Sequence, residues 1–245
     1  MSRTTVLAAI TLVLAGCSAN EDKPDSAPSP TSSPTSSPAS SPRSSGTPVG
    51  ATAVDTIPDG PLEPGSYELP PIGPGHHPFA VVDVPDGYAH WGPFVIADEP
   101  PEPEDPLSIS LWVVTGVFMD ACKATAQIPA GDSVRSLADA FLRQEVLSAT
   151  KPRPVSLAGY HGLYLEIAAP TDQDYSQCDD AELNFWDARP SGSRWTRMPG
   201  MRDRLWILDV DGQPMMLAMF VPPSATDEQI EKITDILDEA RFVRR

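Results

Sequence analysis

Two apolar runs flank Asp211-Gly212, and they constrain the fold more than any other part of the chain. Arg204 to Val210 reads Arg-Leu-Trp-Ile-Leu-Asp-Val, and Met215 to Val221 reads Met-Met-Leu-Ala-Met-Phe-Val. An Asp-Gly pair tolerates the positive φ of a two-residue hairpin turn, and the runs beside it are dense in strand formers. An antiparallel pair therefore stands late in the chain and must bury at least one face. In the period-two pattern Trp206 points away from Leu205 and Ile207. Its face is either covered by a helix or exposed as a hydrophobic binding surface.

The other elements follow the same rules. Phe79 to Val84 is an expected strand ending at the turn residues Pro85-Asp86-Gly87, and Tyr88 to Ala97 is a second extended piece. Ser108 to Phe118 predicts one buried strand. Gly131-Asp132-Ser133 opens a helix with Asp132 as its expected N-cap, and Val134, Leu137, Ala138, Phe141 and Leu142 form its apolar stripe. Lys151-Pro152-Arg153-Pro154 closes that stretch. Val155 to Leu157 and Leu163 to Ala168 are expected strands joined by Gly159-Tyr160-His161-Gly162, and Leu183 to Asp187 is another. Thr226 and Gln229 form a capping-box pair ahead of Ile230, Ile233, Ile236, Leu237 and Ala240. Strands, helix, strands, helix make an α+β domain, an antiparallel sheet flanked by helices, over residues 79–245. The Pro- and Gly-rich residues 51–78 predict an irregular lead-in with at most a short edge strand.

The N-terminal region has a different character. Arg3 is followed by an apolar run, Val6 to Ala15, too short to span a bilayer. Leu14-Ala15-Gly16 then stands directly before Cys17. This charged start, short apolar segment and small-residue end form a secretory signal over residues 1–16. The pattern resembles the lipobox of bacterial lipoproteins, which implies a diacylglyceryl group on the Cys17 thiol. The implied location is the cell membrane, on its extracytoplasmic face, held through that anchor. Residues 17–50 are nearly all Ser, Thr, Pro, Ala and Gly, with a Ser-Pro repeat from Ser29 to Pro42. Such a tract buries too little to offset the entropy of ordering, so it is an expected disordered stalk. Extended polyproline geometry, at about 3.1 Å per residue, gives it a reach on the order of 100 Å if stiff and much less if coiled. Its hydroxyls are also the kind that carry sugars.

The formal net charge is -17. Residues 1–50 hold three basic and three acidic side chains, so the whole surplus lies beyond them. Between Ala51 and Cys122 there is no Lys or Arg. The net charge of so acidic a domain repels nucleic acid and anionic lipid heads, and DNA or RNA is excluded as a partner. If Cys17 is acylated, Cys122 and Cys178 remain as an even pair in an oxidising compartment. A disulfide is expected, with two buried thiols as the alternative.

No catalytic or cofactor motif stands out. There is no Gly-x-Ser-x-Gly, His-Glu-x-x-His, P-loop or Gly-x-Gly-x-x-Gly, so no cofactor and no catalytic residues are assigned. His90 and His161 are isolated bases; a hydrolase would need one of them beside a Ser and a carboxylate. His76-His77 lacks the further ligands that a metal needs. Asp209-Val210-Asp211-Gly212 resembles the start of a calcium loop, but position 218 is Ala218, where the loop needs Glu. The richest segment runs from Arg189 to Arg204, with five arginines, Trp195 and two glycines. Arginine forks bind carboxylate or phosphate, and Trp offers a stacking face. Arg194, Trp195, Arg197, Arg202 and Trp206 are the candidate binding residues. The competing explanation is that these arginines pair with the domain's own carboxylates.

Val84-Pro85-Asp86-Gly87-Tyr88, the run Gly159 to Glu166 and the run Asp203 to Gly212, with the element order and closing helix, resemble the PsbP-like fold. In particular they resemble the LpqN-type lipoproteins of actinobacteria. The resemblance spans about residues 79–243 and implies a non-catalytic accessory or binding domain; it supplies no functional residues. The expected function is a lipid-anchored envelope lipoprotein that binds an envelope protein or an apolar small molecule. A secreted envelope hydrolase and a structural wall component are the alternatives.

Overall fold

The computed structural model describes residues 50–97 and 106–244. The expected signal segment, Cys17, the stalk through residue 49 and the acidic loop over residues 98–105 lie outside the described residues.

The segment ahead of Phe79 is more ordered than its proline content predicts. It carries β1 (Thr52–Ala53), β2 (Gly60–Leu62), β3 (Gly65–Leu69) and β4 (Pro71–Ile72). β3 pairs antiparallel with β5 (Phe79–Val84), setting Tyr67 against Val82 and Leu69 against Ala80. Val54, Tyr67 and Leu69 are buried, so this segment contributes to a core. Pro61 is tolerated because β2 is the outermost strand of its sheet. Tyr88 to Ala97 is a hairpin, β6 (Tyr88–Trp91) and β7 (Phe94–Ala97), turning at Gly92 with φ 52°. The single strand expected over Ser108 to Phe118 is two, β8 (Ser108–Trp112) and β9 (Gly116–Asp120), which enter different sheets. β10 (Lys123–Pro129) folds back on β9; its mostly exposed side chains gave no apolar signal.

Helix α1 (Val134–Leu142) begins after Ser133, not after Asp132. Ser133 Oγ accepts from the Ser136 N–H at 3.1 Å, and Ser136 Oγ accepts from the Ser133 N–H, also at 3.1 Å. A reciprocal cap satisfies two orphan donors where a lone Asp would satisfy one. Next come β11 (Ser148–Ala149), β12 (Arg153–Leu157) and β13 (Tyr160–Ala168). The β12–β13 turn is only Ala158-Gly159, at φ 55° and 83°, so Tyr160, His161 and Gly162 lie within the strand. Gly162 is there for close approach: a Cβ would stand 1.9 Å from the Ile207 carbonyl oxygen. β14 (Leu183–Asp187) and β15 (Ser193–Thr196) precede the expected hairpin, β16 (Arg202–Val210) and β17 (Gln213–Val221). Helix α2 (Asp227–Asp238), capped by Thr226 and Gln229, and β18 (Arg241–Val243) close the domain.

Among the described residues the strands form three mostly antiparallel sheets. The main sheet runs β11-β13-β16-β17-β8-β7-β6-β2, with β12 also on β13 and β4 on β8. The second runs β1-β3-β5-β18 and the third β10-β9-β14-β15. The period-two alternation of β16 and β17 divides the main sheet between two cores. Trp206, Leu208, Leu217 and Met219 join Leu69, Val82 and the α2 residues Ile230, Ile233 and Leu237. Leu205, Ile207, Met216 and Phe220 join Leu137 and Phe141 of α1 and Phe185 and Trp186 of the third sheet. Each fully buried side chain of this size contributes about 1.5–3 kcal/mol. The Trp206 face is thus covered, by a helix and the second sheet, and the class is α+β. Cys122 and Cys178 form the expected disulfide, with Cα atoms 4.5 Å apart.

Candidate functional site

The Arg189 to Arg204 segment is dispersed over three environments. β15 is the edge strand of the third sheet, and its residues alternate: Arg194 and Thr196 are buried, while Trp195 is exposed. Arg194 Nε donates to Asp203 Oδ2 at 2.9 Å and Nη2 to Oδ1 at 3.1 Å. Its guanidinium carbon lies 4.3 Å from the Phe220 ring centroid and 5.3 Å from that of Phe185. Arg194 is 7% exposed and Asp203 is 0% exposed. This fork ties β15 to β16 through the apolar layer between two sheets. Arg194 is therefore a structural residue with no face toward a ligand, which corrects its place among the binding candidates. Arg189 is likewise paired, with Asp187.

Trp195 is 39% exposed, and the Arg197 guanidinium stands 5.2 Å from its ring centroid. Arg197 Nη2 reaches Glu182 Oε2 at 3.4 Å. Burial raises the Glu182 carboxyl above its ordinary range; Arg197 opposes the rise and Asp180 adds to it. An aromatic face, a guanidinium and a partly desolvated carboxylate thus share the outward side of an edge strand. Trp91 is the other exposed tryptophan, on β6, whereas Trp112, Trp186 and Trp206 are buried.

Arg202 and Trp206 lie on the opposite face of the main sheet from Leu205 and Ile207. Trp206, 6% exposed, packs edge-on against Tyr164 with ring centroids 5.1 Å apart. Tyr164 donates its hydroxyl to Glu166 Oε1, and Arg204 Nε lies 3.5 Å from the same oxygen. Burial, followed by the bond to Glu166, pushes the Tyr164 hydroxyl well above the ordinary phenol range, so it stays a proton donor. Arg153 covers the Tyr164 ring at 4.1 Å. Sequence reasoning missed Arg153, Tyr164, Glu166 and Arg204 as neighbours. Their signal was the alternation of Tyr164 and Glu166 with Leu163, Leu165 and Ile167.

The isolated bases have local explanations. His90 is 2% exposed and its Nε2 contacts the Pro58 carbonyl at 2.7 Å. His161 Nδ1 lies 2.7 Å from Ser156 Oγ, an exposed cross-strand neighbour. A cleft of about 410 Å³ is lined by His161 with Asp132, Ser133 and Asp209, but Asp209 Oδ1 accepts from the Gly212 N–H at 2.8 Å. Among the described residues no carboxylate orients His161 as a hydrolytic base requires. Asp211 pairs with Arg244, so Asp209 and Asp211 are turn residues, as the hairpin pattern predicts. His77 Nε2 contacts the Pro74 carbonyl at 2.7 Å. Among the described residues no three His, Cys, Asp or Glu side chains gather as metal ligands would, and no helix is long and apolar enough to cross a membrane.

No family model matches the chain, and no curated protein matches it. Among solved structures, it is similar to the crystal structure of LpqN, involved in cell envelope biogenesis of Mycobacterium tuberculosis. The match covers 73% of this chain and 90% of that one, at 12% identity and a TM-score of 0.35. A likeness of that size carries no argument about function.

Proposed function

We propose that this chain is a lipid-anchored lipoprotein of the cell envelope, and that its PsbP-like domain is a non-catalytic module that binds another envelope protein. The observation that carries the binding assignment is the exposed Trp195–Arg197 pair on the outward side of edge strand β15. Tryptophan and arginine are the residue types most enriched among interface hot spots, and a Trp held on a strand loses little entropy on docking. Anchoring is supported by Leu14-Ala15-Gly16-Cys17, and an oxidising compartment by the Cys122–Cys178 bridge. A protein partner is favoured over an apolar small molecule because the Trp195–Arg197 pair is an outward-facing surface at a sheet edge.

The test is photo-crosslinking in intact host cells. A benzoylphenylalanine at position 195 of the full chain should capture a discrete protein. The same probe at Thr125, on the opposite edge of the third sheet, should not. Adding Arg197→Ala should remove the product without lowering the amount of folded chain. Equal capture at both positions, or capture indifferent to Arg197, would overturn the assignment. Cys17→Ala should release the chain from the membrane fraction.

A further inference from the structure

We propose that the face of the main sheet formed by β12, β13 and β16 is a binding strip for a slender polymer that carries phosphate groups at intervals. This site is independent of the Trp195 surface. Residues directly opposite in a ladder point to the same side. Arg153 is opposite Tyr164, Glu166 is opposite Arg204, and Ala168 is opposite Arg202. Arg153, Arg204 and Arg202 therefore share one face, with Glu166 between them. Lys151, exposed, lies in the short connection between β11 and β12.

The charge pattern separates this strip from the rest of the domain. Lys123, Arg135, Arg189, Arg194, Arg197, Lys232, Arg241 and Arg244 each have a carboxylate within ion-pair distance. Among the described residues, Arg143, Lys151, Arg153 and Arg202 have none, although the chain carries a formal charge of -17; Arg143 stands at the end of α1, and the other three lie along this strip. Cations left without partners amid surplus carboxylate, and gathered along one strip, are free to engage an external anion. Arg204 shares Glu166 with the Tyr164 hydroxyl, so that carboxylate is already occupied from two sides.

Charge and spacing point to an extended anionic occupant. Arg153 and Arg202 lie two strands and four residues apart, about 17 Å between their Cα positions. A chain of phosphates along this length can give each guanidinium its own group. The Arg204 side chain is 25% exposed and that of Glu166 is 30% exposed, so the middle of the strip is half-buried while Lys151 and Arg153 at one end are exposed. The Arg153 guanidinium carbon stands 4.1 Å from the Tyr164 ring centroid, and its N–H groups remain able to donate to an anion. Tetrahedral phosphate oxygens accept such forks from several sides, so neighbouring arginines can share one group.

The test uses the full chain with Cys17→Ala, which removes any acyl group, titrated with poly(glycerol phosphate) by calorimetry. Arg153→Ala and Arg202→Ala should each weaken binding about tenfold or more. Each should also lower the slope of log K against log salt by about one, a readout that a merely structural residue would not move. Glu166→Gln should tighten binding. Arg143→Ala, which removes an arginine without an ion pair from the end of α1, should change nothing. The proposal fails if the polymer does not bind or if Arg143→Ala matches Arg153→Ala. It fails equally if polygalacturonate binds as tightly, or if only phosphatidylglycerol vesicles bind.

Discussion

Arg194 and Arg197 stand three residues apart in the same arginine-rich segment, and their substitution should have opposite consequences. Removing Arg194 leaves the Asp203 carboxylate, 0% exposed, without its bidentate partner between Phe185 and Phe220. Breaking a buried pair from one side costs about 3–5 kcal/mol, because the remaining charge keeps its desolvation penalty and loses its compensation. At about 2–4 °C per kcal/mol for a domain of this size, Arg194→Met should lower Tm by about 6–20 °C. Asp203→Leu should do similar damage by stranding the guanidinium. Replacing both removes both charges from an apolar layer, and such exchanges are often neutral or stabilising by about 1–4 kcal/mol. Arg194→Met with Asp203→Leu should therefore lie far above the sum of the two single variants. Urea unfolding followed by tryptophan fluorescence and near-UV circular dichroism gives all four free energies. If Arg194→Met stays within about 1 kcal/mol of the parent chain, or if the double variant equals the sum of the singles, the buried pair is not the clamp described here.

Removing the disulfide with Cys122→Ala and Cys178→Ala opens a loop with a sequence separation of 56, which costs about 4 kcal/mol in the chain-entropy model; the urea midpoint should fall accordingly, and an unchanged midpoint would refute the estimate. Gly162→Ala places a methyl group against the Ile207 carbonyl and should destabilise by about 1–3 kcal/mol or more, whereas Gly159→Ala, with open space around it, meets only the strain of its positive φ. The Arg241 guanidinium, with help from Ser66, holds the Asp83 carboxyl below its usual range. A depressed folded pKa means that this pair stabilises the fold above the ordinary carboxylate range and that the contribution disappears as pH falls through the folded value. Asp83→Asn should therefore lower stability at pH 6, by less than about 1 kcal/mol for so exposed a pair, and the gap should close as the solution is acidified below pH 4.

The fold was legible wherever periodicity and turn chemistry agreed. The β16–β17 hairpin, both helices and the α2 capping box follow from spacing alone, because a 3.6-residue stripe and an Asp-Gly turn each permit few alternatives. What escaped was short or carried no apolar signal. β10 and β15 each bring little apolar side chain to the core, Ile128 being the one buried aliphatic residue of β10, and β3 was masked by the prolines around it. The split of Ser108 to Phe118 between two sheets could not be seen either, since apolar density reports burial and not which layer does the burying.

The arginine cluster shows where sequence proximity misleads. Five arginines within sixteen positions suggest one basic surface. A strand, however, sends alternate residues to opposite faces, and a crossing from one sheet to another changes which face meets water. Arg194 turns inward from β15 to Asp203, Arg197 turns outward beside Trp195, and Arg202 and Arg204 reach the far side of the main sheet. There they meet Arg153, separated from Arg202 by almost fifty positions, which no local pattern connects to them. The fold has used Arg194 to fasten two layers, paired Arg189 with Asp187, and left Arg197 on one surface and Arg202 and Arg204 on another. Binding at those two surfaces should therefore be separable by mutation: Arg197→Ala should leave polymer binding intact, and Arg153→Ala should leave crosslinking at position 195 intact. A single substitution that abolished both would mean that the domain presents one continuous site, and the division of the cluster by strand alternation would not be its functional division.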